Sequence, residues 1–235
     1  MRKTLLTVDW DYFIPFKKEW FFSYIENERN SLQLWYKRYI MAKLQGEDLE
    51  KSVRASSERL EFWKSIKNIL PFYKGVKVFV SESHKFAYYL AKNFNCDRVI
   101  SFDSHSDLGY SGLASLEFEV NCANWLGKLF KDDIIKEAMV VYSPYSLEKP
   151  SDFEEFINLY RIDFVFSVDK LPKDSLISVI HIARSGAWTP PWLDKDFVRF
   201  VNSLGLLYHE VGISPREWKV SKLSYGDQIF YLNFA

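Results

Sequence analysis

Six short runs of apolar and β-branched residues punctuate the chain: LLTV at 5–8, VKVFVS at 76–81, RVISF at 98–102, MVVYS at 139–143, DFVFSV at 163–168 and ISVIHIA at 177–183. They are continuous and do not alternate apolar with polar, the pattern of strands covered on both faces. Between them HKFAYYLAKN (84–93), EEFINLY (154–160) and DFVRFVNSLG (196–205) repeat apolar residues at helical spacing. Strands alternating with crossover helices predict an α/β fold, a mainly parallel sheet between two helical layers.

Residues 16–72 break this rhythm with two long helical patterns, WFFSYIENERNSLQLWYKRYIMAKL and LEKSVRASSERLEFWKSIKNIL, separated by Gly46, Glu47 and Asp48 and closed by Pro71. Trp20, Phe21, Trp35, Tyr36, Tyr39, Phe62 and Trp63 make the pair too apolar for a solvated spacer. It is expected to pack on the sheet edge or to join copies of the chain in a homo-oligomer, in preference to closing over a ligand.

At 235 residues, 48% hydrophobic, the chain is long enough for one sizeable core, and no shift in composition divides it, so residues 1–235 are expected to form one domain. Lys plus Arg and Asp plus Glu number 31 each, which gives no argument for a nucleic acid or an anionic membrane as partner and favours a small or peptidic ligand. Asp9 interrupts the apolar start before a secretory or membrane-spanning stretch is complete, and the expected location is cytoplasmic. Cys96 and Cys122 form no CxxC pair and are expected to be free thiols.

Three predicted strands run out into metal-binding residue types: LLTV into Asp9 and Asp11, VKVFVS into Glu82 and His84, VISF into Asp103, His105 and Asp107. Residues two apart in an extended chain share a side, so each set can converge on one point, and parallel sheets bind ligands beyond the carboxyl ends of their strands. One such carboxylate is ordinarily a helix cap, a role open to Asp107. Five carboxylates and two histidines at three strand ends would repel without a cation. Carboxylates outnumber imidazoles and no cysteine joins them, a set suited to Mn(II), with Zn(II), Fe(II) or Co(II) as alternatives. Shared carboxylates further suit two ions and a hydrolytic reaction.

FDSHSDL resembles the DxHxD signature of the arginase and ureohydrolase superfamily, VDWDYF resembles its DxD strand end, and SESHKFAYYL resembles the segment that supplies its first histidine. NCANWLG and VIHIARSGAWTPPW are similar to an outlying branch that includes peptide arginases. The resemblance reaches from residue 4 to about residue 204, with the DxD strand moved to the front; a circular rearrangement preserves such a site because the ends of compact domains are often close. It implies a three-layer fold with about eight strands, one ion on Asp9, His84, Asp103 and Asp107, and a second on Asp9, Asp11, Asp103 and His105. It also implies a bridging hydroxide, oriented by Asp107, that attacks a guanidinium carbon and releases urea.

The substrate side is less complete. Where ordinary arginases carry a proton-transfer histidine after DxHxD, this chain offers Asn121 and Asn124. His181 and His209 are expected to be structural. Glu82 and Asp169, at strand ends, are the candidates for a cationic group, Glu82 with a catalytic role and Asp169 with a turn or cap as the equal alternative. Arg184 and Ser185 are expected to face the crevice, with an internal ion pair as the equal alternative for Arg184. Trp188 and Trp192 either line the mouth or serve loop packing. The expected substrate is a guanidino compound or an arginine-containing peptide. An amide hydrolase of the same fold is the first alternative, weakened by the absence of tandem histidines, and a non-catalytic, metal-stabilised binding module is the second.

Overall fold

A computed structural model describes residues 2–15, 17–21 and 31–234 of the chain. Seven strands form one all-parallel sheet: β1 (Arg2–Asp9), β2 (Phe72–Ser81), β3 (Arg98–Asp103), β4 (Glu137–Tyr142), β5 (Ile162–Val165), β6 (Ser175–Ala183) and β7 (His209–Val211), in the order β5-β4-β3-β1-β6-β2-β7. All six predicted strands are present. The three-residue β7 carries no apolar run and is added at the edge beside β2, so the sheet has seven strands where about eight were expected.

Nine helices are found among the described residues: α1 (Lys18–Phe21), α2 (Ser31–Leu44), α3 (Leu49–Ser52), α4 (Phe62–Ile69), α5 (Phe86–Asn93), α6 (Trp125–Lys131), α7 (Glu154–Leu159), α8 (Asp194–Ser203) and α9 (Tyr225–Phe234). Strand periodicity sorts the cores. Leu6, Val8, Ile100, Phe102, Ile180 and Ile182 face α2, α4 and α8; Leu5, Val99, Val140 and Val179 face α5, α6 and α7. α8 shows the local logic, with Asp194 and Asp196 in its first turn and Phe197, Phe200 and Val201 buried at helical spacing. The result is a three-layer α/β/α arrangement. Among the described residues, no helix is long and apolar enough to cross a membrane.

The helical insertion differs from expectation in two ways. It covers a face of the sheet, not its edge, because Trp35, Tyr39, Phe62, Trp63 and Ile66 join the core beneath β1, β3 and β6. Its second helix is broken between α3 and α4. Val53 adopts an extended conformation, its carbonyl accepts the Trp192 indole N–H at 3.3 Å, and Ser56 N–H reaches the Phe13 carbonyl at 2.7 Å. Those long-range bonds satisfy backbone groups that a continuous helix would have used internally. Residues 22–30 of the first predicted helix lie outside the described residues.

Trp10, just after β1, is fully buried in the core against α8. Its ring lies 5.4–5.6 Å from those of Phe13, Phe197 and Phe200, and its indole N–H is buried without an acceptor. Trp10→Ala is therefore expected to cost about 3–5 kcal/mol in urea unfolding. Trp10→Phe, which removes the unpaired N–H and keeps a ring, should cost well under half of that.

Candidate metal centre

The sheet order brings the predicted ligands together. β1 sends its chain towards β2 and β3 sends its chain towards β4, so neighbouring strands diverge at their carboxyl ends and leave a crevice. Val8 pairs in register with Phe102, which sets Asp9 and Asp103 side by side at the end of β1 and β3. Asp11 sits in the 3-10 turn after β1, His84 in the loop after β2, and His105 and Asp107 in the loop after β3. Asp9, Asp11, His84, Asp103 and Asp107 are all buried, and His105 is partly so.

Asp9, His84 and Asp103 place one ligand atom each within 4.8 Å of one another, and so do Asp11, Asp103 and His105. Asp103 belongs to both groups. His84 Nδ1 lies 2.9 Å from Asp103 Oδ2, 3.0 Å from Asp107 Oδ2 and 3.4 Å from Asp9 Oδ2, while His105 Nδ1 lies 3.1 Å from Asp11 Oδ2 and 3.6 Å from Asp103 Oδ1. Despite their closeness, His84 Nδ1 and Asp103 Oδ2 are buried without a directed hydrogen bond. Two such atoms aimed at common space fit a shared cation better than each other. The donor set, oxygen with imidazole, fits a divalent ion.

Backbone N–H groups orient the carboxylates. Asp11 N–H donates to Asp9 Oδ1 at 3.2 Å, His105 N–H to Asp103 Oδ1 at 2.9 Å, and Ser104 N–H to Asp11 Oδ1 at 3.2 Å. Ser185 Oγ donates to Asp9 Oδ2 and the Trp125 indole to Asp107 Oδ2, both at 2.5 Å. Asp107 and Ser185 hold φ at 53° and 49°, left-handed conformations that side chains other than glycine seldom adopt. Such strain concentrates at functional sites. On the side away from the carboxylates, His84 Nε2 lies 2.8 Å from Thr7 Oγ1.

A cavity of about 360 Å³ opens over the cluster, lined by Asp9, Asp11, His84, His105 and Asp107 below and by Tyr110, Cys122, Ser185 and Trp188 around it. Of the predicted substrate residues, Ser185 and Trp188 line it, and Trp188 stands edge-on to His105 with ring centroids 5.9 Å apart. Asn121 and Asn124 border an adjoining hollow; Asn124 staples its own loop by donating to the Ser115 and Glu119 carbonyls. Glu82 and Arg184 do not line the cavity. They form a buried ion pair with each other, and Arg184 also reaches Asp194 and the Ser214 carbonyl. Asp169 is exposed and bonds to Ser167 in a turn. The Trp192 indole is spent on the Val53 carbonyl, away from the cavity.

Near the site, Glu148 carried no signal in the sequence, and His181, expected to be structural, acquires neighbours that the sequence did not indicate. Glu148 is buried and accepts from Ser106 N–H at 2.8 Å, the Tyr110 hydroxyl at 2.7 Å and the Tyr142 hydroxyl at 3.2 Å; burial pushes its carboxyl up to about 7. It fixes the loop between His105 and Asp107, and Tyr110 beyond. His181 is fully enclosed in β6, and burial with His84 beside it holds its imidazole well below the ordinary value, hence neutral.

Four groups of the cluster are shifted in the same protonation sense. Burial, then Asp11 and Asp103, raises the Asp9 carboxyl well above its ordinary 3.8, and burial with Asp103 raises Asp11. For His84 and His105, burial works downward but the surrounding carboxylates carry both well above 6.5. Without an ion, the folded chain therefore holds protons that the unfolded chain releases. The contribution to stability is full below the unfolded values and drains away as the pH rises through the folded ones. In chelator, melting temperature should fall between about pH 6 and about pH 8, while saturating Mn(II) should flatten or reverse the slope, because an ion displaces those protons. Thermal melts across pH, with and without Mn(II), measure this directly.

Comparison with known protein families, with curated proteins and with solved structures finds no match to this chain.

Proposed function

We propose that the chain is a hydrolase of arginase type that uses two divalent ions, Mn(II) first among them, to cleave a guanidino group and release urea. One observation carries the reading: two three-residue ligand groups share Asp103, and their other four members, Asp9, His84, Asp11 and His105, line an open cavity. Ions held side by side supply an activated water at neutral pH and positive charge for the developing transition state. Oxygen donors outnumber imidazoles in the set, which favours Mn(II) over Zn(II), Fe(II) and Co(II).

The chain's own residues have separable tasks. Asp103, common to both groups, would contribute to both ion positions, and Asp9, fixed by Ser185 and by Asp11 N–H, would offer its remaining lone pairs there. Asp107, anchored by the Trp125 indole, would orient the attacking water and receive its proton. The face of Trp188 and the acidic floor suit a cationic group, and the guanidinium would enter between them. With Glu82 committed to Arg184, the proposed orienting carboxylate is Asp107. The adjoining hollow of about 330 Å³, reached past Tyr110, Ser111, Cys122 and Ala123, leaves room for a substrate longer than free arginine, such as an arginine-containing peptide.

Elemental analysis after reconstitution, together with urea release from arginine, agmatine and arginine-containing peptides, tests the reading. The expected result is about two divalent ions per chain and urea from at least one substrate, with Asp103→Asn losing both ion binding and about a thousand-fold or more of the rate. A protein that retains no divalent ion sinks the proposal. Acetate from acetylated amines in place of urea moves the activity to amide hydrolysis.

A further inference from the structure

Beneath the metal cluster runs a row of buried polar side chains that the chemistry above does not use. β1, β6 and β2 are neighbours, with Thr7 opposite His181 and His181 opposite Phe79, so Thr7, His181 and Ser81 meet on one face of the sheet. All three are fully buried. Ser81 Oγ lies 2.9 Å from the Ser83 carbonyl and 2.8 Å from His181 Nε2; Thr7 Oγ1 lies 3.0 Å from His181 Nδ1 and 2.8 Å from His84 Nε2. Four contacts link a backbone carbonyl to a proposed ligand.

Donor counting gives the row a direction. A carbonyl only accepts, so the single Ser81 hydroxyl proton goes to Ser83. Ser81 Oγ must then accept from His181, which puts the His181 proton on Nε2. His181 is fully enclosed and its two ring nitrogens meet only hydroxyls, with no carboxylate to balance a charge, so the ring is uncharged, Nδ1 is an acceptor, and the Thr7 hydroxyl donates to it. With its proton spent, Thr7 Oγ1 can only accept from His84, whose proton is thereby held on Nε2. Once an ion displaces the second ring proton, the His84 nitrogen that offers a lone pair is Nδ1, the atom 2.9–3.4 Å from Asp103, Asp107 and Asp9.

We infer that Thr7, His181 and Ser81 are positioning residues whose hydrogen-bond relay, anchored on the Ser83 carbonyl, fixes His84 as an Nδ1 ligand. The inference rests on the metal-centre reading. A ligating imidazole needs its second nitrogen held by an acceptor; here the acceptor's own orientation is dictated three residues away. Without the relay, a hydroxyl free to rotate would donate to His84 Nε2 as readily as accept from it. That would favour the tautomer with a proton on the ligating atom.

Titration calorimetry with Mn(II) on chelator-stripped protein, and long-range ¹H–¹⁵N spectra of the histidine rings in the Zn(II)-loaded protein, form the test. Thr7→Val removes the hydroxyl at nearly constant shape and should weaken Mn(II) binding about ten- to a hundred-fold. Thr7→Ser should restore affinity to within about three-fold of wild type, a rescue that packing alone would not produce. Ser81→Ala should weaken binding in the same direction from two links away. The spectra should place the proton of His181, and that of His84, on Nε2; being recorded on the wild type, they decide the matter even where Thr7→Val fails to fold. Wild-type protein that takes up no divalent ion overturns the centre and this inference with it. Binding by Thr7→Val equal to wild type, or a His181 proton on Nδ1, overturns the relay alone.

Discussion

Four buried carboxylates and two imidazoles converging beyond the carboxyl ends of three strands of one parallel sheet are the constraint on which the rest of this structure depends. Taken alone, such a cluster opposes folding, since burial and mutual repulsion both disfavour the charged forms. The chain answers by fixing the carboxylates on backbone N–H groups, Ser185 and Trp125, and by leaving His84 Nδ1 and Asp103 Oδ2 facing shared space. What offsets the repulsion is protons when no ion is bound, and a divalent ion in the proposed working state.

Holding Ser185 and Trp188 at the rim takes a second set of contacts, drawn from distant parts of the chain. The carbonyl of Gly186 accepts from the Trp35 indole at 2.7 Å and from Arg216 at 2.9 Å, and the carbonyl of Ala187 accepts from Arg38 at 2.5 Å. The helical insertion is therefore a brace for the loop after β6. Below it, the buried Glu82 and Arg184 and the half-buried Asp194 and Arg216 form an ion-pair network whose members are mutually committed. Buried pairs of this kind add little net stability but are costly to break, which suits a part that must hold a strained residue in one place.

Elements whose signal is local were legible along the chain. The six long strands, α5, α7 and α8 follow from apolar runs and helical spacing, because burial on two faces or one writes itself into the pattern. Asp9, Asp11, His84, Asp103, His105 and Asp107 were legible too, because each lies at or within a few residues of a strand end and parallel strands all end on one side. Glu148 was not, since it follows an irregular loop and acquires its role only by reaching Ser106 and Tyr110. Glu82 looked suited to a substrate and Arg184 equally to a substrate or to an internal ion pair, and the alignment of β2 beside β6 turned them towards each other.

The sequence by itself determined the fold class, the residue types of the cluster and the end of the sheet on which they gather, because these depend on periodicity and strand polarity. The tertiary structure alone decided that Asp103 belongs to two ligand groups, that the insertion covers a face and braces a loop, and that His181 stands behind His84 as a neutral link. Those outcomes turn on distances of a few ångströms between side chains 77 to 174 residues apart, set by strand order and register. Hydrophobic periodicity specifies which face of an element is buried, and it carries no information about which buried polar groups will meet there.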